Sequence, residues 1–167
     1  MVSSCKKNTD TAVDKAAISI GASYQGGVIF YLDGTGQHGL VAAPSDQSSG
    51  IRWYNGTYVA ANTVETSVGM GLVYTNAIVN LQGTGSYAAS LCKQLSLNGY
   101  NDWFLPSKNE LNLLYQNRNQ VGGFATGYYW SCCEYDTQNA WNQYFPYGPQ
   151  YYANKSSLAY VRAIRAF

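Results

Sequence analysis

A chain of 167 residues has the length for one domain with a hydrophobic core of useful size. Only 11% of its residues are charged, against about 25% in an average domain, and the net charge is +1. Solubility therefore rests on Asn, Gln, Ser, Thr and Gly, a composition that suits an extracellular protein. No basic run exceeds two residues and no apolar run approaches the ~20 residues of a membrane span, which argues against an electrostatic nucleic-acid binder and a transmembrane helix.

Residues 1–20 are polar and unpatterned and read as a flexible tether ahead of a domain over 21–167. Within the tether, Val2-Ser3-Ser4-Cys5 resembles the end of a bacterial lipoprotein signal, where the cysteine becomes the lipid-bearing N-terminus. The charged and apolar regions of a signal peptide do not precede it. Cys5 is the candidate lipidation residue, and a lipid there is the only membrane attachment expected; a chance cysteine in a polar terminus is the alternative.

In the domain, residues 24–31 (YQGGVIFY) and 39–43 (GLVAA) flank an Asp33-Gly34-Thr35-Gly36 turn and read as a β-hairpin. Residues 44–50 read as loop, 51–54 (IRWY) as a short extended segment and 55–71 as a polar surface loop. Helical spacing runs over 72–80 and resumes over 86–97, where Ser86 is a candidate cap. Residues 102–106 (DWFLP) should be extended, as the position before proline prefers. Ser107-Lys108-Asn109-Glu110 has the pattern of a capping box opening a helix to about Asn117. Short strands follow at 128–131, 140–145, 150–154 and 160–167, with turns at Tyr147-Gly148 and at 154–157. This order gives an α+β domain.

Eight of the sixteen tyrosines fall within 128–160, one fifth of the chain. Tyrosine supplies a large, stiff, amphipathic contact at low entropic cost, so the stretch reads either as a binding face or as a Tyr-rich β-region. Strand alternation sends Trp130, Trp141 and Phe145 inward, and Asn142 and Tyr144 outward. Tyr135, Thr137, Tyr147, Tyr151, Tyr152 and Tyr160 are expected to join the latter on one contiguous exposed face.

YQGGVIFYLD, GTGSYAASLC, SLNGYNDWFLPSKNELNLLY, YYWSCCEY, AWNQYF and VRAIRAF, in that order, resemble the DUF1566 family, related to the C-terminal domain of a bacterial collagen-like adhesin. The resemblance covers about residues 24–167. It implies a C-type-lectin-like fold with a mixed, mainly antiparallel sheet, two helices, and first and last strands paired, GGVIFY with AYVRAIRAF. Some proteins of this fold are variable targets of diversity-generating retroelements, whose copying mutates adenines. Family members commonly read YWSSSE where this chain has Cys132 and Cys133, and a serine codon becomes cysteine by one adenine change. Tyr135, Thr137, Tyr144, Tyr147, Tyr151, Tyr152, Ser156, Ser157 and Tyr160 are all reachable from Asn codons. Gln138, Gln143 and Gln150 are not and should be fixed. Ordinary divergence would give the same residues.

The cysteines lack zinc-site spacing, and Cys92 reads as a small buried hydrophobe. The calcium motifs of lectins are missing, since Trp141-Asn142 is followed by Gln143 rather than by a carboxylate. No nucleophile–base pair, metal cluster or phosphate loop is legible, so no catalytic residue, metal or cofactor is expected. The expectation is a monomeric, surface-displayed, non-enzymatic ligand-binding protein of adhesin or receptor type. Its ligand, a protein or glycan on another cell or host surface, would meet Cys132, Cys133, Tyr135, Thr137, Asn142, Tyr144, Tyr147, Tyr151, Tyr152, Ser156, Ser157 and Tyr160. An invariant structural module, or an enzyme on the related formylglycine-generating fold, is the alternative.

Overall fold

The computed structural model describes residues 18–167, so Cys5 and the lipidation expectation lie outside the described residues. The elements run β1 (Ser23–Tyr24), β2 (Gly27–Leu32), β3 (Gly39–Ala42), β4 (Ser48–Ile51), α1 (Met70–Gln82), α2 (Ala88–Lys93), α3 (Lys108–Gln116), α4 (Arg118–Val121), β5 (Tyr128–Glu134), β6 (Asn139–Tyr144), β7 (Gln150–Asn154), β8 (Ala159–Val161) and β9 (Ile164–Ala166). The α+β class is as the element order implies. Besides the two longer helices, α1 and α3, two short ones are present.

The strands form two sheets, ordered β1-β2-β3-β9 and β4-β8-β5-β6-β7. The expected hairpin is β2 with β3. The two ends of the domain meet in one sheet, but the last strand pairs with β3 rather than β2. GGVIFY is therefore one strand removed from the closing segment. The stretch read as one closing strand breaks at Arg162-Ala163 into β8 and β9, which belong to different sheets. β8 runs parallel beside β5 and recruits β4 from a segment read as loop.

Long side chains explain the break. Arg162 is buried, with its Nε 2.7 Å from Asp46 and its other nitrogens donating to the carbonyls of Ala43, Gly122 and Gly123. Arg165 forms a two-pronged pair with Asp102 at 2.6 and 2.8 Å. Both arginines are buried and ion-paired.

Two apolar clusters fill the interior. One gathers Ile29, Val41, Trp53, Ile78, Trp103 and Trp130 beneath α1 and α2. The other sets Phe30, Leu111, Leu114, Tyr129, Phe145 and Ile164 beneath α3. The capping box forms as read: Ser107 Oγ accepts from the Glu110 amide at 3.2 Å, and Glu110 Oε2 accepts from the Ser107 amide at 2.7 Å. Glu110 does more, accepting from the Gly69 amide at 2.7 Å while fully buried, and that burial pushes its carboxyl above the usual range. Gly71 packs so closely on it that a Cβ there would meet Glu110 Oε2 at 2.3 Å and Phe104 at 2.7 Å. α2 starts at Tyr87 without a side-chain cap, so Ser86 does not serve as one.

The polar stretch 55–69 carries no regular element but is pinned. Thr63 is fully buried, with its hydroxyl donating to the Cys132 carbonyl at 2.9 Å. The Ala61 and Thr63 amides donate to Glu134.

Candidate functional site

Pairing across β5, β6 and β7 sorts their side chains by face. Tyr128 pairs with Tyr144, Trp130 with Asn142, and Asn142 with Tyr151, so these residues share one face. Tyr129 and Gln150 pair with Gln143, and Tyr152 with Trp141, so these share the other.

Helix α3 covers the second face. Gln143 Nε2 donates to Asn112 Oδ1 at 2.9 Å and to the Gly148 carbonyl at 2.8 Å. Gln150 Nε2 donates to the Lys108 carbonyl at 2.8 Å. Phe145 and Tyr129 pack ring to ring beneath the helix, tilted by 38° with centroids 4.2 Å apart. Beyond its N-terminus the aromatics emerge. Trp141 is half-buried rather than in the core, with Lys108 Nζ 3.3 Å over its ring. Tyr135 stacks on Tyr152 at 3.9 Å and 3° and meets Trp141 edge-on at 5.4 Å. Trp53, Trp103 and Trp130 are fully buried, as expected of Trp130.

The first face is open. Tyr128 lies 4.7 Å from Tyr144 and 6.2 Å from Tyr151, and Tyr147 extends the row 5.8 Å from Tyr144. Tyr147, at the turn where Gly148 adopts φ 91°, is 81% exposed. To join β7 to β8, with β6 and β5 between them in the sheet, residues 155–158 must cross this face. Tyr128, Asn142, Tyr151, Tyr152, Ala153, Ser157 and Leu158 line a concavity of about 400 Å³ there. None of the six hydroxyls of Tyr128, Tyr135, Tyr144, Tyr147, Tyr151 and Tyr152 makes a hydrogen bond among the described residues, unlike Tyr129, whose hydroxyl donates to Asp46 at 2.7 Å.

The crossover is fastened by a buried ion pair that the sequence reading missed. Lys155 and Glu134 are both buried and directly paired. Lys155 Nζ also donates to the Thr137 carbonyl at 2.7 Å and lies 4.6 Å from the Trp53 ring centre. A lysine in an Asn-Lys-Ser-Ser turn carries no local sign of burial. Asp136 organises the β5–β6 turn by accepting from Asn139 Nδ2 and from the Gln138 and Asn139 amides. These bonds, Asn139's side chain foremost, hold its carboxyl below the usual range.

The twelve candidate positions therefore divide. Tyr135, Thr137, Tyr147, Tyr151, Tyr152, Ser156 and Ser157 are exposed and Tyr144 is half-buried. Tyr151 and Tyr152 point to opposite faces, so the tyrosines make two clusters rather than one contiguous surface. Cys132 and Cys133 are fully buried, because beyond the exposed Tyr128 the rest of β5 is covered on both sides. The Cys133 thiol accepts from the Lys108 amide and donates to the Glu65 carbonyl, each at 3.3 Å, and burial raises the Cys132 thiol pKa strongly. Asn142, expected in solvent, is 5% exposed beneath the crossover. Tyr160 stacks on Tyr129 at 5.2 Å, within the α3 cluster rather than the open face. Tyr128 and Leu158 were not singled out; alternation from Trp130, expected inward, sends Tyr128 inward too, so it gives no sign of the exposure Tyr128 has near the end of β5. Among the described residues no three His, Cys, Asp or Glu side chains are grouped to hold a metal, and no helix is long and apolar enough to cross a membrane.

The family description of the Lcl C-terminal domain matches residues 43–165. No curated protein matches the chain. Among solved structures, a fimbrial protein from Bacteroides ovatus ATCC 8483 shares the fold with a TM-score of 0.57 and 12% identity. The alignment covers 83% of this chain and 43% of that one.

Proposed function

From the premise that the chain belongs to the Lcl C-terminal domain family, we propose that it is an adhesin-like module, displayed at a cell surface, that binds its ligand non-covalently. The binding surface is the open face of β5–β7. One observation carries this reading: Tyr128, Tyr144, Tyr147 and Tyr151 form a continuous aromatic row beside an uncharged concavity. Exposed aromatic surface of that kind marks interaction sites. The solved fimbrial neighbour supports the fold alone.

Beads coated with the protein and offered to a panel of cells and extracellular matrices test the reading. The wild type should adhere, and Tyr128→Ala/Tyr147→Ala/Tyr151→Ala should not. Tyr135→Ala, altering the opposite cluster away from the concavity, should adhere like the wild type. Adhesion that survives the first set, or is lost with the second, sinks the assignment of the face.

Two finer readings follow. Cys5 carries the lipid that displays the domain; Cys5→Ala, expressed behind a lipoprotein signal, should move the protein from the membrane to the soluble fraction. The exposed positions reachable from Asn codons are diversified by a retroelement, while Gln143 and Gln150, unreachable by that route, hold the scaffold through hydrogen bonds. A near-repeat of the end of the gene, beside a reverse transcriptase gene, tests that reading, and its absence from the flanking DNA removes it.

A further inference from the structure

Asn142 sits mid-strand on β6 in the floor of the concavity, opposite Trp130 and Tyr151. Its Oδ1 is the one buried side-chain polar atom without a hydrogen-bond partner among the described residues. The contrast with adjacent Gln143, whose carboxamide is bonded to Asn112 and Gly148, shows that this chain can satisfy a buried amide where it serves only the scaffold. An unpaired buried acceptor costs stability and calls for an explanation; a ligand that supplies the donor is one.

The lining restricts that ligand. It holds no carboxylate, ammonium or guanidinium group, so a charged ligand would lose its hydration without compensation. Its side-chain polar groups, apart from the tyrosine hydroxyls, are the Asn142 carboxamide and the Ser157 hydroxyl. A sugar ring carries a hydroxyl on most of its carbons and would leave most of them facing aromatic rings or Leu158. A peptide presents one N–H and one C=O per residue, which a single carboxamide can match, and an apolar side chain suits Tyr128, Tyr151 and the exposed Leu158. β7 is the last strand of its sheet, so its outer edge offers further main-chain groups to an extended segment.

Resting on the binding reading above, we infer that the concavity takes an uncharged, extended peptide segment of a partner protein. A ligand amide hydrogen-bonds to the Asn142 carboxamide, and an apolar side chain lies against Tyr128, Tyr151 and Leu158.

A phage-displayed random linear peptide library selected on the wild-type protein tests this, with an array of neutral oligosaccharides as the parallel arm. The selected peptides should be uncharged and should bind Asn142→Leu at least roughly tenfold more weakly, as removal of a central anchor does. The Tm of Asn142→Leu should stay level or rise, which a merely structural asparagine would not allow. If the leucine variant fails to fold, Asn142→Ala gives the same affinity comparison. Peptides that bind the variant as tightly as the wild type overturn the inference. Asn142-dependent glycan binding without peptide binding also overturns it, while leaving the face as a binding surface. Failure of both arms overturns the inference, and joined by absent bead adhesion it defeats the face as well.

Discussion

The two faces of the β5–β6–β7 ribbon use the same residue types to opposite ends. Beneath α3 the amides are bonded and the rings interlock: Gln143 to Asn112, Gln150 to Lys108, Phe145 to Tyr129. Across the same strands, Asn142 is unpaired and a row of tyrosines leaves its hydroxyls free. Composition does not distinguish the faces; what covers them does. A helix seals one side, and a four-residue crossover only partly covers the other. The sealed side carries stability, and the open side is the one to which the proposed function assigns recognition.

That comparison breaks most visibly at the fastening of the crossover. Lys155→Met should cost about 3–5 kcal/mol by leaving Glu134 buried without its partner, measured by denaturant unfolding. A loss below about 1 kcal/mol, the usual worth of an exposed pair, would mean that the pair is solvated and the crossover is not held by it. Next come the two amides of β6. Gln143→Leu should cost about 1–3 kcal/mol by orphaning its partners, whereas Asn142→Leu should be neutral or stabilising. Equal losses would erase the distinction between the faces. Ser107→Ala at the start of the sealing helix should cost about 0.5–2 kcal/mol through the lost N-cap acceptor; an unchanged melting curve would show that the cap does not anchor α3. The smallest effect belongs to the open face: Tyr147→Ala should shift stability by no more than about 0.5 kcal/mol, and a larger loss would make that tyrosine part of the core.

Local chemistry was readable from the sequence. The capping box at Ser107, the β2–β3 hairpin and the limits of β7 follow from patterns a few residues long. Alternation along β6 was also readable: Trp141, Gln143 and Phe145 do lie opposite Asn142 and Tyr144. Alternation says which residues share a face but not what lies over it. Trp141 was expected inward, yet it stands past the end of α3. Asn142 was expected in solvent, yet a connection arriving from fifteen residues downstream covers it. Cys132 and Cys133 sit where β5 is central in its sheet, a position fixed by β8, whose parallel pairing has no local signal. The burial of Lys155 depends on Glu134, Thr137 and Trp53, contributed by two other parts of the chain.

The Lys155 ammonium grips the Glu134 carboxylate and the Thr137 carbonyl at once. It thereby fixes the spacing between the end of β5 and the start of the crossover, but makes no hydrogen bond to a side chain of Tyr135, Thr137, Ser156 or Ser157. Sequence change at those positions is consequently permissive in kind and strict in number. Almost any side chain can be exchanged, but adding or deleting a residue between Glu134 and Thr137 would pull the carboxylate and carbonyl out of reach of one amine. Lineages of this domain should therefore drift by substitution through these turns while holding their lengths constant.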